Sequence, residues 1–310
     1  MSAPAISAHN LARSFGSTKA LVDVSLDVAV GSVCALLGRN GAGKTTTVRI
    51  LTTLLPADGG RAQVAGFDVD SQAALVRTRI GVTGQTATMD ELLTGAENLE
   101  TIGRFCHLGA ARSRRRAREL LEQFDLVAAG KQLVKRYSGG MRRRLDLAAS
   151  LIHEPEVLFL DEPTTGLDPL SRRQTWAMIE DLHSQGRTVL LTTHYIEEAE
   201  QLAELVYIID GGKVVAEGSP TTLIAELGAA ATISVAADPE AKLEALPGVL
   251  RAEYTNGRWE LQGREVGVIL AALNQSLGEG ALRDVSVRPP SLEDVFLART
   301  GRHIQAGGEP

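Results

Sequence analysis

The chain has 310 residues, 44% hydrophobic and 23% charged: room for two globular domains and enough apolar material for a large core. A net charge of -6 gives no support to whole-chain nucleic-acid binding, so no nucleic acid is expected among its partners. The opening MSAPAISAHNLARSFG lacks the apolar centre of a signal peptide, and no run approaches the roughly 20 apolar residues that cross a bilayer. A soluble protein is therefore expected, with any membrane role falling to a partner. The two cysteines, Cys34 and Cys106, lack metal-ligand spacing and fit a reducing compartment.

Up to about Pro220, short apolar runs alternate with amphipathic stretches. SVCALLG and VLFLDE are continuously apolar, as are strands covered on both faces of a parallel sheet, and TVLLTTH is similar until its polar end. Helical patterns separate them, so the class is α/β. Cys34, inside VCALL, reads as a buried strand residue.

VCALL leads into GRNGAGKTT and then the helical TTTVRILTTLL. Strand, glycine-rich loop and helix are the context in which Gly-x4-Gly-Lys-Thr binds phosphate. Gly38, Arg39, Asn40, Gly41, Ala42 and Gly43 form a loop whose N–H groups can curl around phosphate oxygens. Lys44 reaches the β- and γ-phosphates, the Thr45 hydroxyl takes one Mg²⁺ position, and Thr46 closes the motif. Gln85, in GVTGQ, ends the next apolar strand, where an amide can touch both Mg²⁺ and an attacking water.

A helical arm follows, at about 86–150. MDELLTGAENLETIGRFC and ARSRRRARELLEQFDL have helical periodicity. Arg112, Arg114, Arg115, Arg116 and Arg118 read as a solvated helix face, with contact to anionic lipid headgroups as the sharper alternative. In RYSGGMRRRL a helix starts on Ser138, Gly139 and Gly140. Bare backbone N–H groups there make a second anion site.

VLFLDEP places Asp161 at the end of a buried strand, where a carboxylate needs a partner; the Mg²⁺ on Thr45 would be one. Glu162 points the other way, placed to accept a proton from water attacking the γ-phosphate. His194 ends TVLLTTH. A lone histidine is commonly structural, but the C-terminal end of such a strand is where open α/β sheets bind ligands.

The domain boundary is expected at 1–222 and 229–310. In the second part ATISVAA and RDVSVRP read as strands, PEAKLEALPG as a short helix, and RAEYTNGRWELQG as a hairpin turned at Asn256-Gly257. VGVILAALNQSL and SLEDVFLART read as helices, the latter with Ser291 and Asp294 as a capping pair. The order βαββαβ suggests a ferredoxin-like unit with a regulatory or assembly role.

The phosphate loop, Gln85, YSGGM, LFLDEP, GLDP and His194 occur in the order and spacing that resemble the ATP-binding subunits of ABC transporters, over about Ile6 to Pro220. The resemblance implies a P-loop NTPase core, ATP and Mg²⁺ as ligands, and hydrolysis served by Glu162, His194 and Gln85. It implies metal positions at Thr45, Gln85 and Asp161. Phe15 resembles the aromatic that stacks on adenine, where the family more often has tyrosine. Arg39 stands where the family often has proline, and Asp168 resembles the loop residue that meets the partner subunit. In this family two ATPase domains pack head to tail. Ser138, Gly139 and Gly140 would then cap the γ-phosphate held by Lys44 of a second subunit.

GVTGQ, LTGAENL, LLTTHYIEEAEQLAE and RPPSLEDVFLARTG resemble the daunorubicin/doxorubicin-resistance type of drug-exporter ATPase. That implies separate transmembrane permease subunits, a peripheral place on the cytoplasmic face of the membrane, and lipophilic drugs, antibiotics or lipids as cargo. An importer ATPase shares this core and stays open. A soluble non-transport ABC protein is the other alternative. Translation factors of that kind often carry two ATPase units against one phosphate loop here, and DNA-repair ATPases need a longer arm. A nucleotide-binding regulator without hydrolysis is disfavoured by Glu162 and His194.

Overall fold

The structure is a computed structural model that describes residues 3–84, 89–227, 231–278 and 284–304. Gln85 lies outside the described residues. The chain divides into two units. One runs to Ser219 and takes in Ile304, and the other is Pro220–His303.

In the first unit the elements run β1 (Ile6–Phe15), β2 (Thr18–Val28), β3 (Val33–Leu37), α1 (Lys44–Leu51), β4 (Gly59–Val64), β5 (Phe67–Asp68), α2 (Ala73–Arg79) and β6 (Ile80–Thr83). Then come α3 (Gly95–Phe105), α4 (Ala110–Gln123), α5 (Gly139–Ser150), β7 (Val157–Asp161), α6 (Pro169–Ser184), β8 (Thr188–Thr193), α7 (Ile196–Leu202), β9 (Leu205–Asp210) and β10 (Lys213–Gly218). Ten strands form one sheet in the order β5-β4-β1-β2-β10-β9-β3-β8-β7-β6.

Its two halves are built differently. β9, β3, β8, β7 and β6 pair in parallel, and every residue of β3, β7 and β8 is buried. Strands covered on both faces have no outward positions, which is why they read as unbroken apolar runs. Cys34 sits among them, and burial pushes its thiol pKa up. In the other half β1 pairs antiparallel with β2 and β4. There Val24, Leu26 and Val28 turn inward and the residues between them do not. That alternation is the signature of a sheet with one covered face.

The helical arm is inserted between β6 and β7, which are parallel neighbours. α3 begins on a reciprocal cap: Thr94 N–H donates to Glu97 Oε2 at 2.8 Å and Glu97 N–H to Thr94 Oγ1 at 3.2 Å. Four arginines of α4 face carboxylates. Arg112 meets Glu154 at 3.0 Å, Arg116 meets Glu119 at 3.1 Å, Arg115 meets Glu119 at 3.5 Å and Arg114 meets Glu100 at 3.8 Å. This is the solvated, ion-paired face, and exposed pairs of this kind add little stability.

The second unit contains α8 (Pro220–Glu226), β11 (Ala231–Val235), β12 (Arg251–Thr255), β13 (Arg258–Gly263), α9 (Val266–Leu277), β14 (Ser286–Arg288) and α10 (Leu292–Thr300). Its sheet, β12-β13-β11-β14, is antiparallel throughout. Ile233, Val235, Leu261, Ile269 and Leu273 form its core. Asn256 and Gly257 turn the β12–β13 hairpin with φ of 52° and 80°, the left-handed pair such a turn requires. Ser291 N–H donates to Asp294 Oδ2 at 2.9 Å, completing the expected cap. The helix expected over PEAKLEALPG is only a 3₁₀ turn, Leu243–Ala245. Leu246, the residue before Pro247, is extended at φ -67° and ψ 143°, the conformation proline imposes on its predecessor, and this ends the turn.

Candidate functional site

The parallel order β3-β8-β7 sets three strand ends side by side. β3 delivers the loop Gly38–Gly43, β7 delivers Asp161 and Glu162, and β8 delivers His194. The loop demands glycine for stated reasons. Gly43 has φ 113°, and a Cβ there would lie 2.6 Å from Leu21 Cδ2. A Cβ on Gly38 would collide with the Ile209 carbonyl. The rest of the loop, Arg39, Asn40, Gly41 and Ala42, carries the chain around to α1.

Lys44, 4% exposed, donates to the carbonyls of Gly38 at 2.7 Å and Arg39 at 3.1 Å. Its Nζ also stands 3.4 Å from Glu162 Oε1. Burial lowers the lysine pKa, and the charge of Glu162 opposes that shift. Glu162 lies between two nitrogen groups: Lys44 Nζ on one side and, at 3.5 Å, His194 Nδ1 on the other. Thr165 Oγ1 donates to its second oxygen at 3.1 Å. The His194 contact first, then the charge of Lys44, hold the Glu162 carboxyl down to about 2. The backbone of Glu162 is left-handed, φ 49°. A non-glycine residue there stores strain, and such positions cluster at active sites.

Thr45 Oγ1 donates to Asp161 Oδ1 at 3.2 Å. Thr192 Oγ1 donates to the same oxygen at 2.6 Å, and Thr192 also accepts from the Glu162 N–H at 3.0 Å. The hydroxyl of Thr45 and the carboxylate of Asp161 are adjacent hard oxygens. That donor set suits a divalent cation that takes its remaining ligands from phosphate and water. Among the described residues no group of three or more His, Cys, Asp or Glu is arranged to hold a metal by protein alone.

A cleft of about 590 Å³ is walled by Phe15 at one end and by Gly43, Lys44, Thr45, Thr46 and Glu162 at the other. Phe15 is 47% exposed, with the Arg13 guanidinium 5.2 Å from its ring centroid. One aromatic face beside a phosphate loop is the arrangement a nucleotide base and its phosphates require.

The second anion site expected from the sequence lies elsewhere. Ser138 caps α5, its hydroxyl accepting from the Met141 N–H at 3.2 Å. Gly139 lines a separate cleft of about 490 Å³ that also contains Arg143, Asp146 and Glu162. Gly140 faces α6, where a Cβ would come 2.6 Å from Ser171 Oγ. The structure therefore gathers Lys44, Thr45, Asp161, Glu162 and His194 around one point. Ser138 to Gly140 stand in a second region that shares only Glu162 with it.

Thr192 and Arg143 escaped the sequence reading. Thr192 had a signal, a hydroxyl ending an otherwise apolar strand, which needs a buried partner. Arg143 had none, since it lies in a run of three arginines. It donates to the Gly84 carbonyl at 3.2 Å, the residue before Gln85.

Comparison with known proteins gives this geometry a family. Residues 21–165 match the ABC transporter family. A daunorubicin resistance ATP-binding protein of Streptomyces coeruleorubidus is 47% identical, the match covering 97% of both chains. The chain belongs to the ABC transporter ATP-binding family. The daunorubicin/doxorubicin resistance ATP-binding protein of Streptomyces peucetius is 45% identical, over 96% of this chain and 92% of that one. A Nod factor export ATP-binding protein of Cupriavidus pinatubonensis is 40% identical over 94% and 90%. Among solved structures, an ATP-binding subunit of an ABC transporter matches with a TM-score of 0.65 at 27% identity, over 72% of this chain and 93% of that one. A dimeric ATP-binding cassette bound to ADP and Pi matches with a TM-score of 0.63 at 26% identity, over 69% and 98%. As an ABC ATPase the chain binds nucleotide, and its activity is ATP hydrolysis of the ABC type.

Proposed function

We propose that this ABC ATPase powers export of lipophilic drugs or antibiotics through a separate membrane permease, working as a head-to-tail homodimer on the cytoplasmic face. The observation that supports the catalytic part is the convergence of Lys44, Glu162 and His194 within 3.5 Å contacts at three adjacent strand ends. Lys44 and the loop N–H groups bind the β- and γ-phosphates, and Phe15 stacks on the base. Thr45 and Asp161, with Gln85, would hold Mg²⁺, which when bound neutralises charge on the phosphate oxygens. Lys44 and Glu162 are counter-charges, so drawing Lys44 toward phosphate frees the Glu162 carboxylate to accept a proton from the attacking water. His194, beside Glu162, holds that carboxylate in place. Ser138, Gly139 and Gly140 of a second copy bring the α5 helix start to the γ-phosphate.

The export reading rests on the resistance and export proteins that the chain matches almost end to end. Among the described residues no helix is long and apolar enough to cross a membrane, so a spanning partner is required for transport. The arm presents apolar residues for it: Leu92 and Phe105 are 73% and 78% exposed. Permease docking is assigned to the arm around Gln85 to Glu97, and crosslinks from the permease confined to the unit after Ser219 would move it elsewhere. The second unit, with its β12-β13-β11-β14 order, is read as a ferredoxin-like variant with an assembly role.

The decisive test is Glu162→Gln. It should bind MgATP while turnover falls by about 10²–10⁴, the usual cost of removing a general base. Wild-type turnover in the purified variant would end the assignment. Co-expression with its membrane permease should raise drug tolerance with the wild-type chain and not with Glu162→Gln.

A further inference from the structure

Glu198 is a carboxylic acid with no exposed surface, and none of the steps above uses it. It lies in the first turn of α7, four residues after His194. Its Oε1 accepts from Thr164 Oγ1 at 2.7 Å and from Trp176 Nε1 at 3.0 Å. Thr164 is fully buried and is the second residue after Glu162. Trp176 is in α6, the helix capped by Asp168, whose carboxylate accepts from the Leu170 and Ser171 N–H groups at 3.0 Å each. One oxygen atom thus ties the histidine's helix to the segment after the general base and to the helix that carries the Asp168 loop.

Two further contacts bind the same pieces. Arg172 of α6 lies 4.3 Å from the ring centroid of Tyr195, the residue after His194. Gln201 of α7 donates to Glu180 of α6 at 2.9 Å. Those two are at the surface end of the contact and Glu198 is its buried centre. Burial raises the Glu198 pKa, against the hydrogen bonds it accepts and the charge of Arg143. A carboxyl held this way serves by bonding geometry, and its charge is a liability in that setting.

We infer that Glu198 is a positioning residue for ATP hydrolysis: it locks His194, Glu162 and the Asp168 loop into one rigid assembly, so that base, histidine and partner-facing loop keep a fixed mutual geometry. The inference rests on the assignment of Glu162 and His194 as the hydrolytic pair. Glu198 has no exposed surface and lines neither of the two clefts. Its loss therefore leaves nucleotide binding by the Lys44 loop intact and loosens the catalytic geometry, where about 1 Å of misplacement costs about 10² in rate.

The experiment compares kcat, KM for ATP and thermal midpoint in wild type, Glu162→Gln, Glu198→Ala, Glu198→Gln, Thr164→Val and Trp176→Phe. Glu198→Ala should lose roughly ten- to hundredfold in kcat with KM within about twofold of wild type. Glu198→Gln retains an acceptor for both donors and should restore kcat to within about twofold, a rescue that a purely electrostatic role would not give. Thr164→Val combined with Glu198→Ala should lose no more than Glu198→Ala alone, because both remove the same bond. Wild-type kcat in Glu198→Ala, a fall expressed in KM, or failure of the Gln variant to rescue each overturns the inference. If Glu198→Ala does not fold by circular dichroism, Trp176→Phe decides. It removes one donor, should lower kcat severalfold at unchanged KM, and at wild-type kcat overturns the inference. Wild type and Glu162→Gln separate the two levels. If they turn over ATP equally, the base assignment falls and this inference with it. If they differ as expected while Glu198→Ala is unimpaired, only the positioning role falls.

Discussion

Two helices of this chain begin on glycine-rich sequence, and they are furnished differently. At the start of α1, Lys44 has Glu162 at 3.4 Å, and Thr45 has Asp161 at 3.2 Å. At the start of α5, Ser138 binds its own Met141 N–H, and Gly140 packs on Ser171. Glu162 lines the clefts beside both, while Lys44 lines only the first. A phosphate loop with lysine, metal-type oxygens and a carboxylate is a site in its own right. On the proposed reading, a helix start without a lysine serves as a cap for an anion held elsewhere. The difference favours a composite site shared between two copies.

The strongest way to break that comparison is a mixed dimer. Lys44→Ala removes a charge-assisted phosphate contact and should bind MgATP weakly by calorimetry. Ser138→Arg puts a bulky cation where open backbone must approach phosphate. Each homodimer should be inactive. With differently tagged chains, the mixed dimer pairs an intact Lys44 with an intact Ser138 across the interface, and ATPase activity should rise above both parents. An ATP-dependent disulfide between Cys substituted at Ser138 and at Arg39 should form between chains; one confined within a chain would rule sharing out.

Smaller effects sharpen the distinction inside the α5 start. A Cβ on Gly140 meets Ser171 Oγ at 2.6 Å, whereas one on Gly139 meets nothing closer than Leu167 Cδ2 at 3.9 Å. Gly140→Ala should therefore destabilise by about 1–3 kcal/mol through overpacking. Gly139→Ala should leave the thermal midpoint nearly unchanged. If Gly139→Ala also removes ATPase activity, the need for glycine there comes from what approaches it. Wild-type activity in Gly139→Ala would weaken the cap reading.

The smallest effect tests the Lys44 site itself. Glu162 is depressed to about 2, so its contribution to stability is present above its unfolded value and is lost as pH falls toward that number. A carboxyl lowered from 4.5 to about 2 contributes about 3 kcal/mol, less what burying Lys44 costs. The stability gap between wild type and Glu162→Gln in urea should be widest above about pH 5, narrow below the ordinary carboxylate value of 4.5, and close only as pH falls to about 2. A gap that does not change with pH would deny the ion pair.

Much of this was legible in the residues. The buried parallel strands announce themselves because both faces are apolar, and the phosphate loop because only glycine fits beside Leu21 and Ile209. The antiparallel half was less so: β1 and β2 mix exposed polar residues with alternating apolar ones, and their register shifts blur the period. The contacts that complete the site were hidden for another reason. Thr192, Thr164 and Glu198 are ordinary residues in ordinary segments, and only the fold brings them to Asp161 and to one another. The helix expected over PEAKLEALPG had an apolar period, but Pro247 draws the residue before it into extended backbone and ends the turn.

The sheet order also dictates how the chain can be made. β3, which carries the nucleotide loop, pairs with β8 and β9, about 155 and about 170 residues downstream. β1 and β2 are joined by a tight turn, so they can pair as soon as they leave the ribosome. VCALL has no such neighbour. At the usual pace of synthesis it waits roughly 10–30 s for its first parallel partner. Through that interval an apolar, charge-free strand is exposed, the kind of segment that invites wrong pairing. The phosphate loop is thus among the first functional elements to be synthesised and among the last to be seated.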